Sequence, residues 1–160
     1  SQPWKFVVVR QKNAELAKVA YGANYDQIME APVTIALFTD TDLQRRARKI
    51  ARVGGVKNFT EEQLQYFMQN LPAEFARYDA QQTSDYLALN AGLVAMNLVL
   101  ALTDQGIGTN IILGFDKSKV NEVLDIEERF RPELLITVGY AAEKVEPSYR
   151  LPVDEIIEKR

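Results

Sequence analysis

The chain is 160 residues long, enough for one domain with a buried core, and its 47% hydrophobic and 26% charged residues argue against general disorder. Lys plus Arg number 19 against 22 Asp plus Glu, a formal charge of -3, so the whole molecule has no electrostatic bias toward nucleic acid. The sequence has no Cys and no His, which excludes disulfides, thiol redox chemistry, Ser-His or Cys-His nucleophilic pairs and zinc sites of the Cys/His type. An enzyme with this composition must use carboxylates, Lys and Tyr for proton work, or leave the hard chemistry to a cofactor.

Ser1-Gln2-Pro3-Trp4 is a turn that delivers polar groups to a sheet edge. No basic region followed by an apolar run marks a signal peptide. Phe6 to Val9 is a continuous apolar run that suits a strand covered on both faces. Asn13 is placed to cap a helix over 14–21, which Gly22 to Tyr25 breaks; a short turn over 26–30 leads to a second strand, Val33 to Phe38. Asp40 and Asp42 fit as caps of a charged helix over 41–52, and Gly54-Gly55 ends it. Thr60 and Gln63 have capping-box spacing, and Pro72 is expected to restart the helix.

After Asp79 comes a long apolar helix that ends at Gln105-Gly106. Its stretch Tyr86 to Leu102 contains Asn90 and Asn97 and falls short of the ~20 apolar residues a bilayer needs. It therefore reads as a helix buried in protein, with no membrane partner and a cytoplasmic location. The two Asn are seven apart on one apolar stripe, which fits either a two-fold helix seam or a satisfied monomer core. Thr109 to Leu113 is a third strand, stopped by Gly114; Asp116 can cap a helix over 117–124, and a fourth strand follows over 134–141. The tail over 143–152 is expected to be extended and to lie on another surface. The whole is one α+β domain, 1–160, with a helical insert at about 41–85.

Gly106-Ile107-Gly108 is not a dinucleotide fingerprint, because the third glycine position holds Ile111 and the turn precedes a strand. Asp125, Glu127 and Glu128 read as a solvated turn. The cluster Arg45, Arg46, Arg48, Lys49, Arg52 and Lys57 is either one exposed helix face or a surface that steers a phosphorylated ligand such as NADPH.

The ordered set SQPWKFVVV, NYDQIMEAPVTIALF, NAGLVAMNLVLALTDQGIGTNIILGFD, ITVGYAAE and YRLPVDEII resembles the nitroreductase-like FMN-dependent oxidoreductase family over nearly the whole chain, least so from Thr41 to Asp85. The resemblance implies a mixed sheet flanked by helices and a long central helix at an intertwined homodimer interface, with FMN in clefts between the subunits. It further implies ping-pong hydride transfer from NADPH or NADH to a nitroaromatic, quinone or similar small-molecule acceptor, in a pocket walled partly by the insert around Phe67, Phe75 and Tyr78.

Residue by residue, the resemblance places Ser1 and Gln2 at flavin contacts and Asn24 and Gln27 at the pyrimidine edge of the ring, where a lysine often stands in place of Gln27. Leu113 and Gly114 match the loop whose backbone N–H faces flavin N5, with Ile111 and Ile112 along the same wall. Arg150 matches a tail arginine that grips the FMN phosphate. The family's upstream helical segment, with its Arg-rich phosphate motif, has no counterpart in the sequence, so Arg150 is expected to carry the phosphate. The alternative function is a flavin-binding or flavin-free dimer with a sensor or scaffold role.

Overall fold

β-branched and apolar residues concentrate in four strands: β1 (Trp4–Val9), β2 (Val33–Asp40), β3 (Gly108–Ile112) and β4 (Phe130–Gly139). In the computed structural model, which describes residues 2–56, 59–142 and 148–160, they form one sheet in the order β1-β2-β4-β3. Each pairing among the described residues is antiparallel, and β1 and β3 are the two edges. Among the described residues seven α-helices accompany it: α1 (Asn13–Ala17), α2 (Asn24–Glu30), α3 (Leu43–Val56), α4 (Glu61–Gln65), α5 (Leu71–Phe75), α6 (Ala80–Asp104) and α7 (Lys117–Leu124). The architecture is the α+β class that the sequence predicts.

Period-two alternation assigns the two sheet faces. On one face, Leu16 of α1, Ile28 of α2 and Val120 of α7 pack with Ala36, Phe38, Ile112 and Leu135. On the other, Ala91 and Ala95 of α6 pack on Leu37, Leu134 and Ile136, with small side chains letting the helix approach closely. A third cluster, Leu43, Ala47, Leu71, Phe75 and Leu87, fastens α3 and α5 to the start of α6.

Several local expectations are corrected. β1 is an edge strand with Phe6 and Val8 exposed, not a strand covered on both faces. Asn13 is the first residue of α1 and donates its side-chain amide to Ala31 O at 2.8 Å instead of capping the helix, and α1 is shorter than expected. The segment read as a turn over 26–30 is helical from Asn24. Pro72 stands in the first turn of α5 as expected, but no interruption precedes it: α4, a wider π turn over Tyr66–Asn70 and α5 run on without a break. Proline clashes with the carbonyl four residues back, here Met68, and the widened turn lies where that clash falls. The Thr60–Gln63 capping box forms as expected, and a second one joins Asp79 and Gln82 at the start of α6.

The helix α6 is long and apolar enough to cross a membrane by length and composition, yet one of its faces is packed on the sheet. Its opposite face is bare: Leu89, Leu93, Met96 and Leu100 are 63%, 65%, 51% and 58% exposed. Asn90 finds its partner within the helix, donating to Tyr86 O at 2.8 Å, and Asn97 lies among the bare apolar residues.

Candidate functional site

The loop after β3 is fixed by backbone chemistry. Gly114 O accepts two hydrogen bonds, from Tyr21 N at 2.9 Å and from the Asn24 side-chain amide at 3.0 Å. Asp116 N donates to Val19 O at 2.7 Å, and Ala20 and Phe115 form an isolated antiparallel bridge. A Cβ at position 114 would stand 2.6 Å from Asn24 Nδ2, so only glycine permits this approach. Among the described residues neither the Leu113 nor the Gly114 N–H donates a hydrogen bond. Two backbone donors free of protein partners among the described residues therefore sit beside the exposed Leu113 side chain.

Asp116 closes the loop by capping α7. It accepts from Ser118 N at 3.1 Å and Ser118 Oγ at 2.6 Å and pairs with Lys119 at 3.2 Å. The Ser118 hydroxyl, then the Lys119 ammonium, hold its carboxyl below the usual carboxylate range.

Asn24 and Gln27 are three apart on α2 and share a helix face. Gln27 Oε1 accepts from Asn110 Nδ2 at 2.7 Å, which orients the glutamine and leaves its exposed Nε2 without a partner among the described residues. Asn24, Gln27, Leu113 and Gly114 are thus brought to one place, the β3 edge where α2 meets the loop. Asn110 is a member of this group that the sequence did not single out; its position on the same β3 face as Ile112, two residues on, is the signal that would have found it.

The structure does not unite the other expected residues with them. The Ile112 side chain is buried, 1% exposed, on the face opposite Ile111, so it cannot line the same wall; alternation along the strand forbids it. Arg150 is exposed and donates to Ser148 Oγ and Tyr149 O, both in its own tail. Ser1 lies outside the described residues. Gln2 precedes β1, at the other edge of the sheet from β3.

Gln2 instead lines a cleft of about 380 Å³ with Trp4, Arg46, Lys49, Ile50, Val53, Gly54 and Phe59. Phe75 is buried in the third cluster with Phe67 and Tyr78 against it, and the aromatic side chains that line this cleft are Trp4 and Phe59. The basic cluster is not one exposed face. Arg45, Arg48 and Arg52 are solvated, while Arg46 turns inward, donating to Trp4 O at 2.7 Å and standing 3.7 Å from Asp40. Lys57 lies outside the described residues. Asp42 does cap α3, accepting from Arg45 N at 2.9 Å, whereas Asp40 is a buried ion-pair member, 2.7 Å from Arg129. Glu127 also pairs with Arg129, which holds the Glu127 carboxyl below its ordinary range.

Comparison with known proteins supplies independent findings. A family model described as the Nitroreductase family matches residues 1–140. A Streptococcus pyogenes protein provisionally named NAD(P)H nitroreductase Spy0809 is 63% identical over 159 residues, covering 99% of this chain and 79% of that protein. The crystal structure of a nitroreductase family protein from Streptococcus pneumoniae TIGR4 is 85% identical with a TM-score of 0.96, covering 99% of this chain and 79% of that one. A provisionally named nitroreductase of Exiguobacterium sibiricum, solved in complex with FMN, is 26% identical with a TM-score of 0.89 and covers 99% and 77% of the two chains.

Proposed function

The chain belongs to the nitroreductase family, and from that premise we propose that it is an FMN-dependent NAD(P)H oxidoreductase, a soluble homodimer that reduces nitroaromatic, quinone or similar small acceptors. The observation that carries this reading is the pair of N–H groups at Leu113 and Gly114 that have no partner among the described residues, in a loop anchored by the Gly114 carbonyl's two bonds. FMN supplies the hydride chemistry when bound, which suits a site with neither Cys nor His.

The residues present fit that cofactor. Leu113 and Gly114 would offer backbone N–H groups to the ring's hydride-accepting edge, and Gln27 would offer its Nε2 to the pyrimidine edge. Asn24 holds the loop at its working distance and Asn110 holds Gln27. Arg150 is the tail cation suited to the phosphate.

Gln2 precedes β1 and Gly114 follows β3, the opposite edges of a four-stranded sheet, so at least three strand spacings, roughly 14 Å, separate them and they do not line one cleft of the chain. A second copy resolves this, because its loop can approach the first copy's Gly114. The bare face of α6 is the surface on which that copy packs. The tail, exposed throughout 148–160 with Leu151, Val153, Ile156 and Ile157 bare, wraps the same partner.

The test is a visible spectrum of the purified protein with and without added FMN, then with NADPH and NADH under anaerobic conditions. A flavin band that bleaches and recovers its colour with a quinone supports the proposal. No flavin uptake at excess FMN overturns it and favours a flavin-free role.

A further inference from the structure

Within one chain the Gln2–Phe59 cleft lies apart from α2 and the β3 loop, and in the proposed dimer Gln2 brings it beside the second copy's Gly114. Its walls are mostly apolar, from Trp4, Ile50, Val53 and Phe59, and its volume of about 380 Å³ falls in the range of small-molecule sites. The wall is built rather than accidental. Phe59 N donates to Gly54 O at 3.1 Å, a Cβ on Gly54 would overlap the Phe59 ring, and Phe67 stacks on that ring with centroids 5.4 Å apart.

Arg46, Lys49, Ile50 and Val53 come from one face of α3, at spacings of three and four. The Arg46 charge is matched by Asp40, and that of Arg129 by Glu127. Lys49 has no carboxylate partner among the described residues, so the cleft carries one uncompensated cation on an apolar wall. The buried Arg46 Nε also lacks a hydrogen-bond partner.

We infer that this cleft binds a small apolar molecule carrying one carboxylate, the body against Trp4, Val53 and Phe59 and the carboxylate on Lys49. The inference rests on the proposed function for its consequence, that acidic acceptors are preferred over their neutral analogues. The cavity suits a single ring or short chain, and is too small for a whole dinucleotide.

Trp4 is the chain's one tryptophan, so its emission reports on occupancy directly. The purified protein is titrated with phenylbutyrate and with the neutral phenylbutyramide, and binding is confirmed by calorimetry. Phenylbutyrate should bind about tenfold tighter than the amide, the increment expected of one charge-assisted contact. Lys49→Gln should erase that preference while leaving the amide unchanged. Val53→Asp, at an exposed position, should abolish acid binding by pairing with Lys49. In turnover, nitrobenzoate should show a lower KM than its methyl ester with similar kcat, and Lys49→Gln should remove the difference.

Equal binding of acid and amide, or no binding of either, overturns the inference. So does a Lys49→Gln variant whose only change is a higher KM for NADPH than for NADH, since Lys49 would then serve the dinucleotide phosphate. A protein that binds phenylbutyrate through Lys49 but takes up no flavin retains the cleft and loses the enzyme. One that bleaches with NADPH yet ignores the carboxylate retains the enzyme and loses the cleft.

Discussion

Gly114 shows how one missing methyl group shapes the site. Its carbonyl takes two donors because nothing stands between its Cα and the Asn24 amide. In Gly114→Ala the new Cβ must push Asn24 away, breaking that bond at a cost of about 1 kcal/mol in stability, read as a lower melting temperature. The loop that carries the Leu113 and Gly114 N–H groups loses this anchor as well, so FMN affinity should fall in a fluorescence titration; unchanged affinity would remove this loop from the proposed flavin site. Gln27 is the second decisive residue, since a neutral amide stabilises negative charge less than an ammonium does. Gln27→Lys should raise the flavin potential in a spectroelectrochemical titration, with Asn110 turning its amide oxygen toward the new donor. Asn24 and Gln27 were legible only through family resemblance, because a lone amide on a short helix has no signature of its own. Asn110 was passed over because its partner lies 83 residues away, and only strand alternation with Ile112 pointed to it.

At the scale of elements, local signals were read well and long-range ones poorly. The Thr60–Gln63 capping box, the Asp116 cap and the glycine turn after α6 depend on residues within one turn of helix and were read from the sequence, whereas the Asp79–Gln82 box was passed over and the Asn13 cap did not form. Asp40 is the contrary case: its position beside a helix start suggested a cap, but its partner Arg129 lies 89 residues on in the chain, just before the neighbouring strand β4. The amphipathic α3 likewise hid two roles in one run of charge, because helical spacing puts Arg46 and Lys49 on the cleft and Arg45 and Arg52 in water. The Asp116 cap gives a pH prediction. Its carboxyl is held below the ordinary range, so the stability it contributes is present above the unfolded carboxylate range and is lost as pH falls through the lower folded value. The melting temperature of the natural protein should therefore drop more steeply on acidification than that of Asp116→Asn, with the difference vanishing at the acid end. Parallel curves would mean that the cap does not feel pH.

At the scale of the whole molecule, α6 carries the argument. A helix of 25 residues with only Leu87, Ala91 and Ala95 buried is unfinished as a monomer element, since its bare leucines form a continuous stripe at helical spacing. Trp4, Phe6 and Val8 share the sheet face on which α6 packs, and Phe6 and Val8 are exposed, so the apolar surface extends onto the β1 edge. The sequence showed this helix to be apolar all round, but which stripe the sheet takes and which is left for a partner is decided by tertiary packing. Leu93 is the most exposed of the stripe, so Leu93→Arg leaves the monomer's own core untouched and places a charge in the seam. A buried unpaired guanidinium costs several kcal/mol per copy, enough to dissociate a modest interface. Sedimentation should then show a monomer in place of a dimer, with unchanged helical content by circular dichroism. If Gln2 and Gly114 meet only across that seam, the same variant also loses FMN although no flavin contact was altered, and a monomer that still binds FMN tightly would place the whole site within one chain.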